Sequence, residues 1–319
     1  MKDDFFLNVL LTGATGFVGR RIGDVLKKKK GFYLTCVVRQ PPGEPLGHKL
    51  RTNSLEPDAD WSDALKGQDV IIHAAARAHI LRDEVPDPLA EYRRVNVEGT
   101  LNLARQAAQA GVRRFIFVSS IGVNGSVSRK PFTELDKPNP SDFYAQSKWE
   151  AEQGLWSVHQ ETGLEIVIVR PPLVYGPSAP GNFGTLVKWV QRGIPLPLGA
   201  IDNDRTFVAL DNLVDLIITC IEHPAAANQV FLAGDGQALS TTQLLRGVGS
   251  AMGKPARLVP VPAGILMFGA RLLGKKDVAQ RLLGSLPVDI SKARNVLGWE
   301  PLLSVEEGLR RCFDSENTF

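Results

Sequence analysis

NVLLTGATGFVG, residues 8–19, is the stretch on which the fold of this chain turns. A short apolar run ends at Gly13, and Gly13, Gly16 and Gly19 then recur at every third position into a segment with helical periodicity. That order predicts a strand, a tight turn and a helix. Gly13 suits the turn, Gly16 allows close backbone approach to a pyrophosphate, and Gly19 allows the helix to pack against the strand. The helix N-terminus behind the loop offers free N–H donors to an anion. A glycine triplet alone says little; its place between an apolar run and a helix gives it meaning.

The same alternation continues downstream. Apolar runs at 8–13, 33–39, 69–75, 114–120 and 165–171 are interleaved with helical pattern near 17–29, 60–67, 88–110 and 144–162. Runs apolar throughout are buried on both faces, so the pattern predicts an α/β fold, a doubly wound parallel sheet of the Rossmann kind. Beyond Pro172 the texture changes. PPLVYGPSAPGNF and RGIPLPLGAIDND are rich in Pro and Gly and read as loops over a ligand cleft, with helical pattern resuming at 183–191 and 211–222. QVFLAGDG, residues 229–236, reads as one more strand returning to the main sheet. The predicted division is a dinucleotide-binding domain over 1–172, to which segments near 205–236 return, and a smaller C-terminal substrate-binding lobe over 173–319.

Composition sets bounds. The 319 residues are 44% hydrophobic and 22% charged, with a net charge of +3 from 37 basic and 34 acidic residues. That balance belongs to an ordinary globular protein and gives no case for nucleic-acid binding. Cys36, Cys220 and Cys312 are far apart and outside metal-ligand spacing, which predicts reduced thiols in a cytoplasmic protein and no metal site. The N-terminus reaches its glycine motif before a signal-peptide apolar region could finish. AGILMFGARLLG, from Ala263, is interrupted by Arg271 and too short to span a bilayer, so no membrane insertion is expected. Lys27–Lys30 falls between a predicted helix and strand and reads as a solvated helix end.

YAQSKWEAE places Tyr144 and Lys148 at i and i+4, on one face of a helix. A phenol with an ordinary pKa of about 10 is a poor proton shuttle near neutrality. A nearby ammonium, aided by the positive nicotinamide of an oxidised dinucleotide, would favour the phenolate and lower that value. Upstream, at the end of a predicted strand, FVSSIGVNG offers Ser119 and Ser120, and Ser120 is placed to polarise a carbonyl or hydroxyl oxygen. The spacing Gly13-x-x-Gly16-x-x-Gly19, the Ser–Tyr–Lys order, HAAA (73–76), NVEGT (96–100) and RPPLVYGP (170–177) together resemble the extended short-chain dehydrogenase/reductases, the NAD-dependent epimerase/dehydratase family. The resemblance covers nearly the whole chain.

The resemblance implies roles residue by residue. Gly13, Thr15, Gly16, Phe17 and Val18 would cradle the cofactor phosphates, and Ala74, Ala75 and Ala76 would line its path. Asn96, Ser119, Tyr144, Lys148 and Pro171 complete the cofactor set, Asn96 also supporting the active-site helix or a water relay. Tyr144 would move the proton, Ser120 would polarise the oxygen, and Lys148 would tune Tyr144 and hold the nicotinamide ribose. Extended members mostly act on nucleotide-linked sugars. NDRTFVALDNLVDLI resembles their diphosphate-gripping segment, which assigns Arg205 to the substrate, with Asp211 and Asp215 structural. Asn182 would touch the same diphosphate, and Arg281 would be a second clamp. Dimerisation through the helices near 88–110 and 144–162 is a family expectation.

The adenosine end departs from the family pattern. Members that prefer NAD end the second strand with an Asp, whereas CVVRQ ends it with Arg39, and Ser54-Leu55 stand where an Asp and an aliphatic residue usually contact adenine. An Arg fits a 2′-phosphate, so NADP(H) is expected, with NAD as the alternative. Ile121 and Gly122 follow Ser120 where dehydratases carry Asp-Glu, which argues against dehydration. The sequence looks like O-antigen (lipopolysaccharide) pathway enzymes that reduce the C4 ketone of UDP-4-keto-6-deoxy-N-acetylhexosamines. Two alternatives stand beside that expectation: a UDP-sugar 4-epimerase with tightly held NAD, and a non-catalytic dinucleotide sensor, which retention of Tyr144 and Lys148 disfavours.

Overall fold

A computed structural model describes residues 6–40, 46–78 and 85–314. Its strands are β1 (Leu7–Thr12), β2 (Phe32–Val38), β3 (Lys49–Thr52), β4 (Val70–His73), β5 (Arg114–Val118), β6 (Glu165–Arg170), β7 (Leu173–Tyr175), β8 (Arg205–Ala209), β9 (Gln229–Leu232) and β10 (Ala238–Leu239). Its helices are α1 (Phe17–Lys28), α2 (Ser62–Leu65), α3 (Pro88–Arg93), α4 (Gly99–Gln109), α5 (Phe143–Thr162), α6 (Gly181–Gln191) and α7 (Leu210–Glu222). They continue with α8 (Thr241–Ala251), α9 (Ala263–Leu272), α10 (Lys276–Leu283), α11 (Ser291–Leu297) and α12 (Val305–Arg311).

Seven strands form one sheet in the order β3-β2-β1-β4-β5-β6-β9. The chain runs outward from β1 to β3 and then returns to place β4 on the other side of β1. The crevice at the ends of β1 and β4 is therefore the topological switch point where α/β sheets bind ligands. Val9 to Thr12 lie in parallel register with Val70 to His73, which brings the loops after both strands to the same sheet edge. Each strand predicted over 8–171 is present. β3, with the sequence KLRT, is an additional short edge strand whose polar residues give no apolar run to detect.

Side-chain alternation decides what covers each face. Leu10, Ile71, Phe115, Phe117, Ile166 and Ile168 are fully buried with Leu103, Ala104 and Ala107 of α4 and Ala151, Leu155 and Val158 of α5. Each such large side chain removed from water contributes about 1.5–3 kcal/mol. On the opposite face α1 lies close to the sheet, where a β-carbon added at Gly23 would meet Leu11 of β1 and Leu34 of β2 in ordinary contact. The helical pattern predicted over 88–110 is three pieces. α3 and α4 are joined by a π-turn over Arg94–Glu98, which carries Asn96 inward.

The chain divides into two compact units. The first comprises Met1–Val123, Pro138–Arg170 and Leu216–Phe231; the second comprises Asn124–Lys137, Pro171–Asp215 and Leu232–Phe319. Two differences from the sequence expectation have plain causes. Asn124–Lys137 joins the second unit, where Phe132 bridges to Val288. Of the returning segment near 205–236, β8 instead pairs with β7 and β10 in a separate three-stranded sheet.

Within the first unit Arg114 is buried at the start of β5. Its Nε donates to Glu165 at 2.7 Å and its Nη1 to the carbonyls of Cys220, Ile221 and His223 at the C-terminus of α7. A guanidinium there satisfies carbonyls that the helix leaves open and meets its negative end. Arg114→Ala strands those acceptors and the Glu165 carboxylate. A loss of about 3 kcal/mol in unfolding free energy is expected, read as a lower urea midpoint with unchanged slope.

Candidate active site

The glycine loop is built by backbone geometry. Gly13 has φ +73°, and a β-carbon there would lie 2.6 Å from the backbone nitrogen of Ala75. A β-carbon at Gly19 would overlap the Gly13 carbonyl, so α1 starts directly on the turn. The Gly16 N–H donates to the Gly13 carbonyl at 2.9 Å and shapes the loop. Gly16 caps α1 without a side chain, and no acidic residue stands in the first turn. Thr15 and Gly16 are exposed, with Phe17 and Val18 half-buried behind them. A cradle without side chains beneath a positive helix end fits a dinucleotide pyrophosphate.

Around it the sheet ends supply walls. Ala74, Ala75 and Ala76 follow β4 and are half-buried, and the Ala75 N–H donates to Thr12 Oγ1 at 3.3 Å. Behind them His73 bridges Thr12 Oγ1 (2.7 Å) and Thr100 Oγ1 (3.0 Å). Burial and the nearby Lys148 charge push its pKa down to about 3, so this imidazole is neutral structure. Arg39 stands exposed immediately after β2. The acid nearest it in the chain, Glu44, lies outside the described residues. Ser54 and Leu55 follow β3. Leu55 packs on the sheet core, and its carbonyl lies where a β-carbon at Gly99 would fall.

The Ser–Tyr–Lys residues sit on one strand end and one helix start. Ser120 follows β5, and its Oγ accepts the Gly122 N–H at 3.1 Å, which leaves the hydroxyl proton available to donate. A β-carbon at Gly122 would lie 3.3 Å from Ser120 Oγ and 3.1 Å from Ala145 Cβ, so Ser120 and the first turn of α5 share one small space. Tyr144 lies in that turn, whose N-cap Asp142 accepts the Ala145 N–H at 2.8 Å. Lys148, one turn on, is buried; its Nζ donates to the Val118 carbonyl at 2.8 Å and sits 4.3 Å from the Phe117 ring centre.

The surrounding protein pushes the Tyr144 phenol above its ordinary value, first by desolvation and then by the charges of Asp142 and Tyr92, whereas the expected lowering draws on the positive nicotinamide of the oxidised cofactor as well as on Lys148. Lys148 is itself pushed down to about 7 by burial, against the pull of Glu152, and its Nζ is 5.8 Å from the Tyr144 ring centre.

Two residues in the predicted cofactor set are held by protein partners. Ser119 donates its hydroxyl to Glu152 Oε1 at 2.5 Å and its N–H to the Val169 carbonyl at 2.8 Å. Asn96 Oδ1 accepts the Arg77 N–H at 2.7 Å, while Nδ2 donates to the Arg77 carbonyl and to Ser147 Oγ, both at 3.0 Å. Ser147 in turn donates to the Tyr144 carbonyl, so Asn96 ties the loop after β4 to the helix that carries Tyr144. Pro171, just after β6, is buried.

Glu152 and Arg170 stand inside the quoted motifs YAQSKWEAE and RPPLVYGP, yet motif reading assigns neither of them a role. Glu152 is fully buried, with Arg170 Nε 3.0 Å from Oε1 and Arg170 Nη2 2.5 Å from Oε2. The signal was present: Tyr144, Lys148 and Glu152 recur every four residues on one helix face.

The second unit holds the residues assigned to substrate. Arg205 in β8 donates Nη1 to the Gly284 carbonyl at 2.8 Å. Burial, and after it the charge of Arg281, lowers its pKa to about 10. Asn182 is exposed in the first turn of α6. Asp215 accepts from Trp299 Nε1 at 2.8 Å and Asp211 pairs with Arg311, both structural. Among the described residues no group of three or more His, Cys, Asp or Glu stands in position to hold a metal. All three cysteines are free thiols pushed up to about 12 by burial.

Comparison with known proteins follows the same lines. The profile of the NAD dependent epimerase/dehydratase family matches residues 9–234. A UDP-glucose 4-epimerase of Vibrio cholerae is 43% identical over 307 residues, covering 95% of this chain and 94% of that one. The N-acetyl-alpha-D-glucosaminyl-diphospho-ditrans,octacis-undecaprenol 4-epimerase of Escherichia coli O157:H7 is 31% identical, covering 81% and 77%. The crystal structure of the Thermotoga maritima UDP-glucose 4-epimerase with UDP-glucose superposes with a TM-score of 0.76 at 25% identity, over 96% of this chain and 97% of that one.

A lysine whose folded pKa is about 7, against 10.5 when free, leaves the folded state binding fewer protons than the unfolded state between those values. Stability therefore rises with pH across that window, by up to about 1.4 kcal/mol per unit. Urea unfolding from pH 7 to 8.5, below the range in which the three raised thiols act in the opposite sense, is expected to show this rise in the wild type. Lys148→Met is expected to flatten it and to be the more stable protein at pH 7.

Proposed function

The chain belongs to the NAD dependent epimerase/dehydratase family, and we propose that within it the protein is a 4-epimerase of a UDP-linked hexose. It is a nucleotide-sugar-modifying enzyme of the extended short-chain dehydrogenase/reductase type. The observation that carries the finer reading is near-full-length 43% identity to a UDP-glucose 4-epimerase, in a chain that keeps Ser120, Tyr144 and Lys148 together. C4 reduction, which the motifs alone put first, stands second to it.

A bound nicotinamide dinucleotide supplies reversible hydride exchange at the sugar C4. The residues of this chain do the rest. Gly13, Gly16 and the first turn of α1 hold the pyrophosphate. Tyr144 would take the proton of the C4 hydroxyl as the sugar is oxidised and give it back to the C4 oxygen when the ketone is reduced on its other face. Ser120, whose Oγ already accepts the Gly122 N–H, donates to the same oxygen. Lys148 is held in place by the Val118 carbonyl and carries its charge near neutrality. Arg205 and Arg281, which repel each other, gain most from a diphosphate that neutralises both.

Arg39 favours a second reading. An exposed guanidinium at the end of β2 suits the 2′-phosphate of NADP(H), the cofactor of a net reductase that takes fresh hydride each turnover. The two readings differ in stoichiometry. For the epimerase, UDP-glucose or UDP-N-acetylglucosamine is expected to reach a mixture of C4 epimers, resolved by NMR, with no net consumption of NADPH. Consumption of one NADPH per UDP-4-keto sugar, with UDP-hexoses left untouched, would establish the reductase instead. Tyr144→Phe is expected to lower turnover by about 10²–10⁴ in either case. Arg39→Asp is expected to move binding preference toward NAD(H) by about tenfold or more, measured by fluorescence titration of both dinucleotides.

A further inference from the structure

We propose that the hairpin of α9 and α10 seats the protein on an anionic lipid bilayer, with Phe268, Leu272 and Leu273 entering the headgroup layer. Among the described residues no helix is long and apolar enough to cross a membrane. Lying in the interface is the arrangement open to an apolar helix of that length. None of the residues of α9 is buried, although AGILMFGARL is almost wholly apolar.

The exposure is concentrated. Ile265 (62%), Phe268 (66%), Leu272 (73%), Leu273 (74%) and Val278 (55%) all fall within one short segment, whereas a lone surface leucine such as Leu135 or Leu302 needs no explanation. Between the two helices lies a cleft of about 430 Å³, with Val127, Met267 and Leu283 among its apolar walls and Arg271 and Lys276 at its rim. Apolar side chains beside cations are the composition of a surface-binding helix.

Charge selects the occupant. Arg271, Lys275 and Lys276 are exposed, and the one acid between Ala263 and Gly284 in the sequence is Asp277. A second copy of this chain docked on the same patch would bury the cations of both copies with one acid from each segment, Asp277, to balance them. Anionic headgroups pair with every one of them while the apolar side chains leave water. The proposal concerns where the protein works and holds for any reaction at the Ser120–Tyr144–Lys148 site.

The test is co-sedimentation of the full chain with vesicles of phosphatidylglycerol mixed with phosphatidylcholine, against vesicles of phosphatidylcholine alone. Binding is expected to the anionic vesicles, weakening as salt is raised. The triple variant Phe268→Ser, Leu272→Ser, Leu273→Ser is expected to lose it by about tenfold or more. The charge reversals Lys275→Glu with Lys276→Glu are expected to weaken it by a similar factor. Both variants should keep the wild-type melting temperature, because the altered side chains face solvent, and should turn over a water-soluble nucleotide sugar at the wild-type rate. The proposal is overturned if wild type stays in the supernatant with anionic vesicles, or if both variants bind as well as wild type. It is equally overturned if ultracentrifugation finds a vesicle-free dimer that the triple variant converts to monomer, which assigns the hairpin to a second copy.

Discussion

Two missing β-carbons hold the glycine loop in place. Gly13 lies so close to the backbone of Ala74 and Ala75, and Gly19 so close to the Gly13 carbonyl, that neither position has room for a side chain. Because of these approaches α1 leaves β1 without an intervening excursion, and the β1 and β4 loops meet at one edge. The uncapped N-terminus of α1 then faces that edge with its N–H groups available to an anion. The binding function proposed for this edge rests on close backbone contact more than on any side chain.

A buried polar layer behind the edge sets the chemistry. Glu152, Arg170, Ser119 and Lys148 are all nearly or fully removed from water, which is costly unless each charge has partners. Glu152 meets that demand by engaging Arg170 with both oxygens and taking the Ser119 hydroxyl. The cluster joins β5, β6 and α5, so the strand end bearing Ser120 and the helix bearing Tyr144 are held by the same carboxylate. Lys148, left with one carbonyl and a ring face, takes the remaining penalty as a lowered pKa.

The second unit has its own polar anchor. Asp235 accepts the Ala209 N–H, the Asn212 side chain and the Tyr175 hydroxyl, all at 2.7–2.9 Å at their shortest. Asn212 also exchanges hydrogen bonds with the backbone of Leu303. Tyr175 of the RPPLVYGP motif is thus committed to holding β7, β8 and the first turn of α12 together. β8 carries Arg205, so the anchor also fixes the strand from which one guanidinium projects.

Local pattern determined the parallel sheet and the glycine turn, and together with the family resemblance it pointed to the Ser120–Tyr144–Lys148 set. Apolar runs, glycine spacing and the four-residue helical repeat are properties of neighbouring residues, and neighbours are what a sequence displays. Tertiary structure alone decided which polar groups are spent on the protein. Ser119 and Asn96 carry the same motif letters as ligand-binding residues, and only folding shows them bound to Glu152 and to the Arg77 backbone. It also decided how strongly the protein desolvates the Tyr144 phenol, because burial depends on everything packed around the hydroxyl while a nearby lysine is legible at i+4. β3 and the sheet of β7, β8 and β10 were invisible for the same reason. Such short strands owe their existence to hydrogen-bonding partners far away in the chain, and their own residues record little of it.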